Sequence, residues 1–142
     1  MLTIGKLAQD TGVKVPTIRY YEQIGLLPEP GRSTGNQRLY GQGQLERLRF
    51  IRHARDLGFP LEAIRDLLSL SDRPEQPCAA ADGIARAQLD AVRARIRRLK
   101  ALEGELERMV AQCAHGTIRD CRVIEVLGDH ALCAQDHPVA AG

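Results

Sequence analysis

Tryptophan is absent from this 142-residue chain and aromatic residues make up only 4% of it, so a large core of stacked rings is not expected. Long apolar runs are also missing: none approaches the roughly 18 residues that a membrane span requires. No signal-peptide pattern opens the sequence. These absences predict a cytoplasmic protein that is neither secreted nor embedded in a membrane. Cysteine is scarce. The four present, Cys78, Cys113, Cys121 and Cys133, are too few for a disulfide scaffold, and their clustering favours metal or redox chemistry inside the cell. Catalytic groupings are lacking as well. The sequence offers no Ser/His/Asp set, phosphate-binding glycine loop or paired-carboxylate pocket, and its acidic residues lie mainly beside arginines on helix surfaces. An enzyme is not expected.

What is present is ordinary globular composition, 44% hydrophobic and 27% charged, enough for one domain or two small ones. The net charge of +2 hides an asymmetry. Residues 1–70 carry 10 Lys/Arg against 7 Asp/Glu, whereas residues 71–142 carry 10 against 11. Residues 14–55 hold 8 against 3, a surplus of +5. Such a segment suits an anionic partner, nucleic acid or membrane surface, or else forms a solvated face.

Short helical patterns alternate with punctuation through the first half. Thr3 can cap a helix that turns Ile4, Leu7 and Ala8 to one face, and Gly12 ends it. Pro16 opens a second helix with Ile18, Tyr21 and Ile24 inward and Gly25 closing it. Two short helices about a tight turn make a helix-turn-helix. Lys14, Thr17, Arg19 and Tyr20 then fall on or beside the outer face of its second helix. In PEPGRSTGNQRLY, the Gly35-Asn36 turn between Arg32 and Arg38 predicts a short hairpin, or wing, whose arginines could grip phosphates. A second helical pair follows, with Leu45, Leu48, Ile51 and Leu57 spacing one helix and Ile64, Leu67 and Leu68 the next. Arg47, Arg49, Arg52 and Arg55 decorate the first of these, where His53 reads as structural.

After the proline-broken SDRPEQPC, the pattern changes. Ala85, Leu89, Val92, Ile96, Leu99, Glu103, Leu106, Val110 and Cys113 follow an alternating 4–3 spacing, the seam of a coiled coil. One helix cannot bury its own stripe, so a partner helix is required, and a homodimer is the expectation. Cys78 and Cys113 bracket this helix, separated by roughly 50 Å if it is straight. They cannot share a metal within one chain. In an antiparallel dimer, however, Cys78 of one subunit would meet Cys113 and Cys121 of its partner, giving two symmetry-related sites. Three thiolates suit Zn(II), Cd(II), Pb(II), Hg(II) or Cu(I). Cys113 at a seam position can equally be a small core residue. His115, next to Cys113, is a ligand candidate, an outer donor or a solvent-exposed residue. Cys133 lies in a tail with His130 and His137 that either supplies further ligands or is disordered.

The stretches IGKLAQDTGVKVPTIRYYEQIGLLPEPGRS, RLY and LERLRFIRHARDLGFPLEAIRDLL resemble the MerR family of transcriptional regulators. The resemblance runs through residues 2–70 and on to about residue 127. It implies a mainly α fold: a winged helix-turn-helix DNA-binding domain, a long antiparallel coiled-coil dimerisation helix and a C-terminal metal-binding loop. The boundaries expected are 1–70 for the DNA-binding domain, 71–80 for a linker carrying Cys78, and 81–114 for the coiled coil. Residues 115–128 would form the metal-binding loop and a short helix, and 129–142 a flexible tail. Cys78, Cys113 and Cys121 fall on the metal positions of the family's sensors, with His115 and Cys133 as accessory candidates. The copper branch typically has Ser at the position of Cys78, so a Cys there is similar to the branch sensing divalent ions, and DRPEQPC most resembles the cadmium and lead sensors.

Carried over by position, Arg19 and Tyr20 fall on the recognition helix and Arg32 and Arg38 on the wing. Gln37 departs from the aromatic usual there. The resemblance further implies promoter DNA and RNA polymerase as partners. The dimer would bind the promoter with and without metal, and metal would bend and underwind the DNA to realign its polymerase-recognition elements, activating transcription. Two other readings stand beside this one. The first is a thiol or iron–sulfur redox sensor of the same family, which groups four cysteines more closely. The second is a metal-buffering protein whose basic segment is incidental. Organic-effector relatives append a large ligand domain for which the chain is too short.

Overall fold

The computed structural model describes residues 1–113 and 116–132. His115 and Cys133 lie outside the described residues. The chain divides into two units, Met1–Gln88 and the part from Leu89 onward. The division falls inside a long helix whose first turns stay with the first unit.

In the first unit, α1 (Ile4–Thr11) and α2 (Val15–Gln23) form the helix-turn-helix. Thr3 caps α1 by accepting the Lys6 N–H at 3.2 Å. Gly12 ends it at φ 73°, donating its N–H to the Ala8 carbonyl. That left-handed conformation costs an L side chain roughly 1–2 kcal/mol, which is why glycine stands there. Pro16 sits in the first turn of α2, where its missing N–H has no helical partner to lose. The wing pairs β1 (Gly31–Arg32) with β2 (Arg38–Leu39), antiparallel, Arg32 opposite Arg38. Its turn holds Asn36 at φ 63°. Leu2 and Tyr40 exchange two backbone hydrogen bonds of 2.8 Å, so the start of the chain extends the base of the wing.

α3 (Gln42–Asp56) and α4 (Leu61–Ser71) complete this unit, with α1 packed on α2 and α3, and α3 on α4. Leu7, Ile18, Leu48, Ile51, Ile64 and Leu68 form the centre of the core. Ile4, Ala8 and Ile24 are partly buried against it. Leu57 departs from its predicted inward place: α3 ends at Asp56, and Leu57 is 57% exposed. Gly58, at φ 86°, turns the chain before another helical turn can form, and Ala54 is the last buried residue of the stripe. Leu26, Leu27 and Tyr40 join the core from segments that carry no helical period.

Three arginines of α3 and α4 act as clamps on the segments packed against them. Arg52 donates to the Gly12 and Thr11 carbonyls at 2.6 and 3.3 Å. Arg65 reaches the Ile24 carbonyl at 2.7 Å and Arg47 the Leu26 carbonyl at 3.1 Å. Carbonyls at helix C-termini have no intrahelical partner, and a guanidinium satisfies them while complementing the dipole. Part of the basic surplus is thus consumed internally.

α5 spans Ala79–Ala111, 33 residues. Within the first unit, Gln88 donates to the Leu57 carbonyl at 3.0 Å. In the second unit, α5 is followed by a 3-10 turn (Ile118–Asp120), α6 (Arg122–Gly128) and a last 3-10 turn (His130–Leu132). Met109 and Val126 are its buried apolar residues, and Glu105 is buried in an ion pair with Arg108. The seam residues stand apart from this buried face: Leu99, Leu106 and Val110 are 53%, 60% and 71% exposed. Among the described residues, no helix is long and apolar enough to cross a membrane.

Candidate nucleic-acid interface and thiolate positions

The period of α2 sorts its residues by role. Ile18 and Tyr21 face the core, while Lys14, at its N-terminal entrance, and Arg19 and Tyr20 stay exposed. Thr17 is half-buried between the two sets. Arg19, Arg32 and Arg38 line one cleft between α2 and the wing, together with Glu22 and Glu29. A recognition helix and a wing arm sharing one arginine-lined concavity can hold a phosphate backbone beside a groove.

The wing arginines are not equivalent. Arg32 is exposed, its guanidinium donating to the Asn36 carbonyl at 3.3 Å and to no other described residue. Arg38 donates to Glu22 Oε2 at 2.6 Å, and the Tyr40 hydroxyl donates to Glu22 Oε1 at 2.5 Å. The Glu22 side chain is almost fully buried, so both donors are needed to offset its desolvation. Burial, then the hydrogen bond to Glu22, pushes the Tyr40 hydroxyl up to about 12. The Tyr40 hydroxyl and the Glu22 charge, in that order, hold Arg38 still more firmly protonated. Glu22 and Tyr40 are absent from the sequence-predicted site. The available signal was the four-residue step from Ile18 to Glu22, which puts a carboxylate at the edge of a buried face and demands a partner.

The thiols occupy helix boundaries. Cys78 is exposed, and its carbonyl accepts the Asp82 N–H at 2.9 Å at the entrance to α5. Cys113 is half-buried just past the end of α5, its N–H on the Val110 carbonyl at 3.2 Å. Cys121 is half-buried at the entrance to α6, its carbonyl accepting the Glu125 N–H at 3.1 Å. Cys78 belongs to the first unit, Cys113 and Cys121 to the second. Among the described residues, no three His, Cys, Asp or Glu side chains of one chain gather into a metal-sized group. Sequence reasoning also passed over Gln112 and Arg122, which flank the two C-terminal thiols. Arg122 Nε donates to Gln112 Oε1 at 2.9 Å.

Comparison with known proteins identifies the family of the helix-turn-helix unit. Residues 2–71 match the family described as MerR HTH family regulatory protein, and residues 45–109 that described as MerR, DNA binding. The chain is 42% identical over 131 residues to the HTH-type transcriptional regulator ZntR of Escherichia coli, covering 89% of this chain and 92% of that protein. It is 38% identical over 125 residues to the mercuric resistance operon regulatory protein of Bacillus cereus, covering 87% and 95%. The crystal structure of the transcription regulator PbrR691 from Ralstonia metallidurans, in complex with Lead(II), superposes with a TM-score of 0.76 at 42% identity. That match covers 89% of this chain and 99% of the other. The chain belongs to the MerR family of helix-turn-helix regulatory proteins, and is a DNA-binding transcription regulator rather than an enzyme.

Proposed function

We propose that this regulator is a cytoplasmic, metal-responsive activator of a metal resistance or efflux operon, working as a homodimer on promoter DNA. The observation that carries the reading is the build of α5, with an exposed apolar stripe along its length and thiols beyond both ends. An antiparallel pair of such helices covers the stripe and brings Cys78 of one subunit to Cys113 and Cys121 of the other. The relatives support the metal response, since they include a mercuric resistance regulator and a regulator crystallised with Lead(II).

The donor set fits a soft or borderline divalent ion: Cd(II), Pb(II) or Zn(II), with Hg(II) also able to take three thiolates. The third thiolate matters because a linear pair suffices for a monovalent ion, whereas a divalent ion gains charge balance and a higher coordination number from Cys78. Such an ion would bridge the two subunits and supply a link whose strength differs between dimer conformers. Lys14, Thr17, Arg19 and Tyr20 present the recognition face, and Arg32 and Arg38 the wing. Promoter binding persists with and without metal, so the ion acts by favouring the conformer that bends and underwinds the DNA for RNA polymerase.

The test is a Cd(II) titration of the reduced protein, following thiolate-to-metal absorption in the ultraviolet, repeated with Cys78→Ser. Saturation at one ion per subunit, with a weakened or altered band in the variant, is expected. An identical band in the variant would remove Cys78 from the site, and no band in the wild type would overturn the metal reading.

A further inference from the structure

The residues that flank Cys113 and Cys121 meet across the segment between the two thiols. Gln112 directly precedes Cys113 and Arg122 directly follows Cys121. Their side chains are joined by the Arg122 Nε to Gln112 Oε1 hydrogen bond of 2.9 Å, which closes a ten-residue span. The Arg122 side chain is about three-quarters buried, and its other partner is Glu125, at 3.0 Å and mostly exposed. An exposed ion pair of that kind contributes little by itself. The Gln112 bond ties the residue after Cys121 back to the end of α5.

We propose that Arg122 and Gln112 form a brace that holds Cys113 and Cys121 in register before metal arrives, so that Arg122 is a positioning residue for the thiolate site. The inference rests on the metal-binding reading above. Consecutive Cα atoms are about 3.8 Å apart, so fixing residues 112 and 122 restricts where both thiol-bearing residues can lie. Fixing the two thiol-bearing positions is a cost which an unbraced chain meets on binding, and a braced one has met on folding. Arginine suits the task because its planar guanidinium can satisfy Gln112 and Glu125 with different nitrogens at once. Lysine would have to reach both acceptors from the position of a single nitrogen.

The test is a double-mutant cycle on Cd(II) affinity, measured by competition with a chelator and read from the thiolate-to-metal band. Arg122→Ala and Gln112→Ala are each expected to weaken binding by about tenfold, the low end of losses for supporting residues around metal sites. The double variant is expected to be no weaker than either single one, because both remove the same bond. Glu125→Gln, which removes the ion pair and leaves the brace, keeps affinity within about twofold. Helix content and metal-free promoter affinity, unchanged in all variants, separate positioning of the thiols from global damage. Wild-type affinity in both single variants would overturn the brace, as would losses that multiply in the double variant or a Glu125→Gln loss equal to that of Arg122→Ala. A wild type that shows no thiolate band at all would overturn the metal reading and the brace with it, whereas a normal wild-type band with unaffected variants removes the brace alone.

Discussion

Glu22 ties α2 to the wing through two donors, Arg38 and Tyr40. Neutral Tyr40 is the form that this arrangement favours, since its folded value lies near 12 against an ordinary 10. The stability it contributes is therefore fully present below pH 10 and lost as pH rises from 10 towards 12, while the unfolded chain releases the proton first. Urea midpoints measured across that range should fall more steeply for the wild type than for Tyr40→Phe; parallel curves would contradict the assignment. Arg19 is exposed in the same cleft and has no hydrogen-bond or ion-pair partner among the described residues, so Arg19→Ala is expected to fold normally. Its promoter affinity should drop by about 1–3 kcal/mol if the side chain reads a base. Unchanged affinity at both low and high salt would remove it from the recognition face. At this scale the sequence showed, through offsets on α2 and the wing, that Arg19, Arg32 and Arg38 lie on one surface, and they line one cleft. It did not show that Arg38 is held by Glu22, because an ion pair between positions sixteen apart depends on how wing and helix meet.

The helices were legible where a period and its stop signals agreed. Thr3, Gly12 and Pro16 mark ends that the structure keeps, and Leu7, Ile18, Leu48 and Ile64 are buried where their spacing puts them. Leu57 misled because its spacing continues the α3 stripe past the point at which the backbone turns. Tyr40, Leu26 and Leu27 were missed for the opposite reason: they are core residues in segments without a repeat, buried by tertiary packing alone. α5 is the element with most left to bury. Its last turns carry one face buried within the second unit, at Glu105 and Met109, and a second, exposed face through Leu99, Leu106 and Val110. Leu106→Lys puts a charge into the seam without touching the buried face. Sedimentation equilibrium should show dissociation to monomers at concentrations where the wild type is dimeric, with helix content of the first unit retained. A dimer as tight as the wild type would move the interface off this stripe.

For the whole molecule, the decisive feature is that the three thiols among the described residues are split between the two units, Cys78 in the first and Cys113 and Cys121 in the second. The 33-residue helix between them was legible as a heptad pattern, and with it the need for a second chain. The identity of the cognate ion was not, because discrimination among divalent ions depends on ligand angles and outer contacts that spacing does not carry. Cross-subunit ligation is the central claim, and mixed dimers test it most directly. A homodimer of Cys78→Ser, or of Cys113→Ser, has no complete three-thiolate site. A heterodimer of the two variants places both defects in one site and leaves the other whole. Purified through two different tags and titrated with Cd(II), the heterodimer should regain the three-thiolate band for one ion per dimer, half the wild-type amount. A heterodimer no better than its parents would show that each chain assembles its own site.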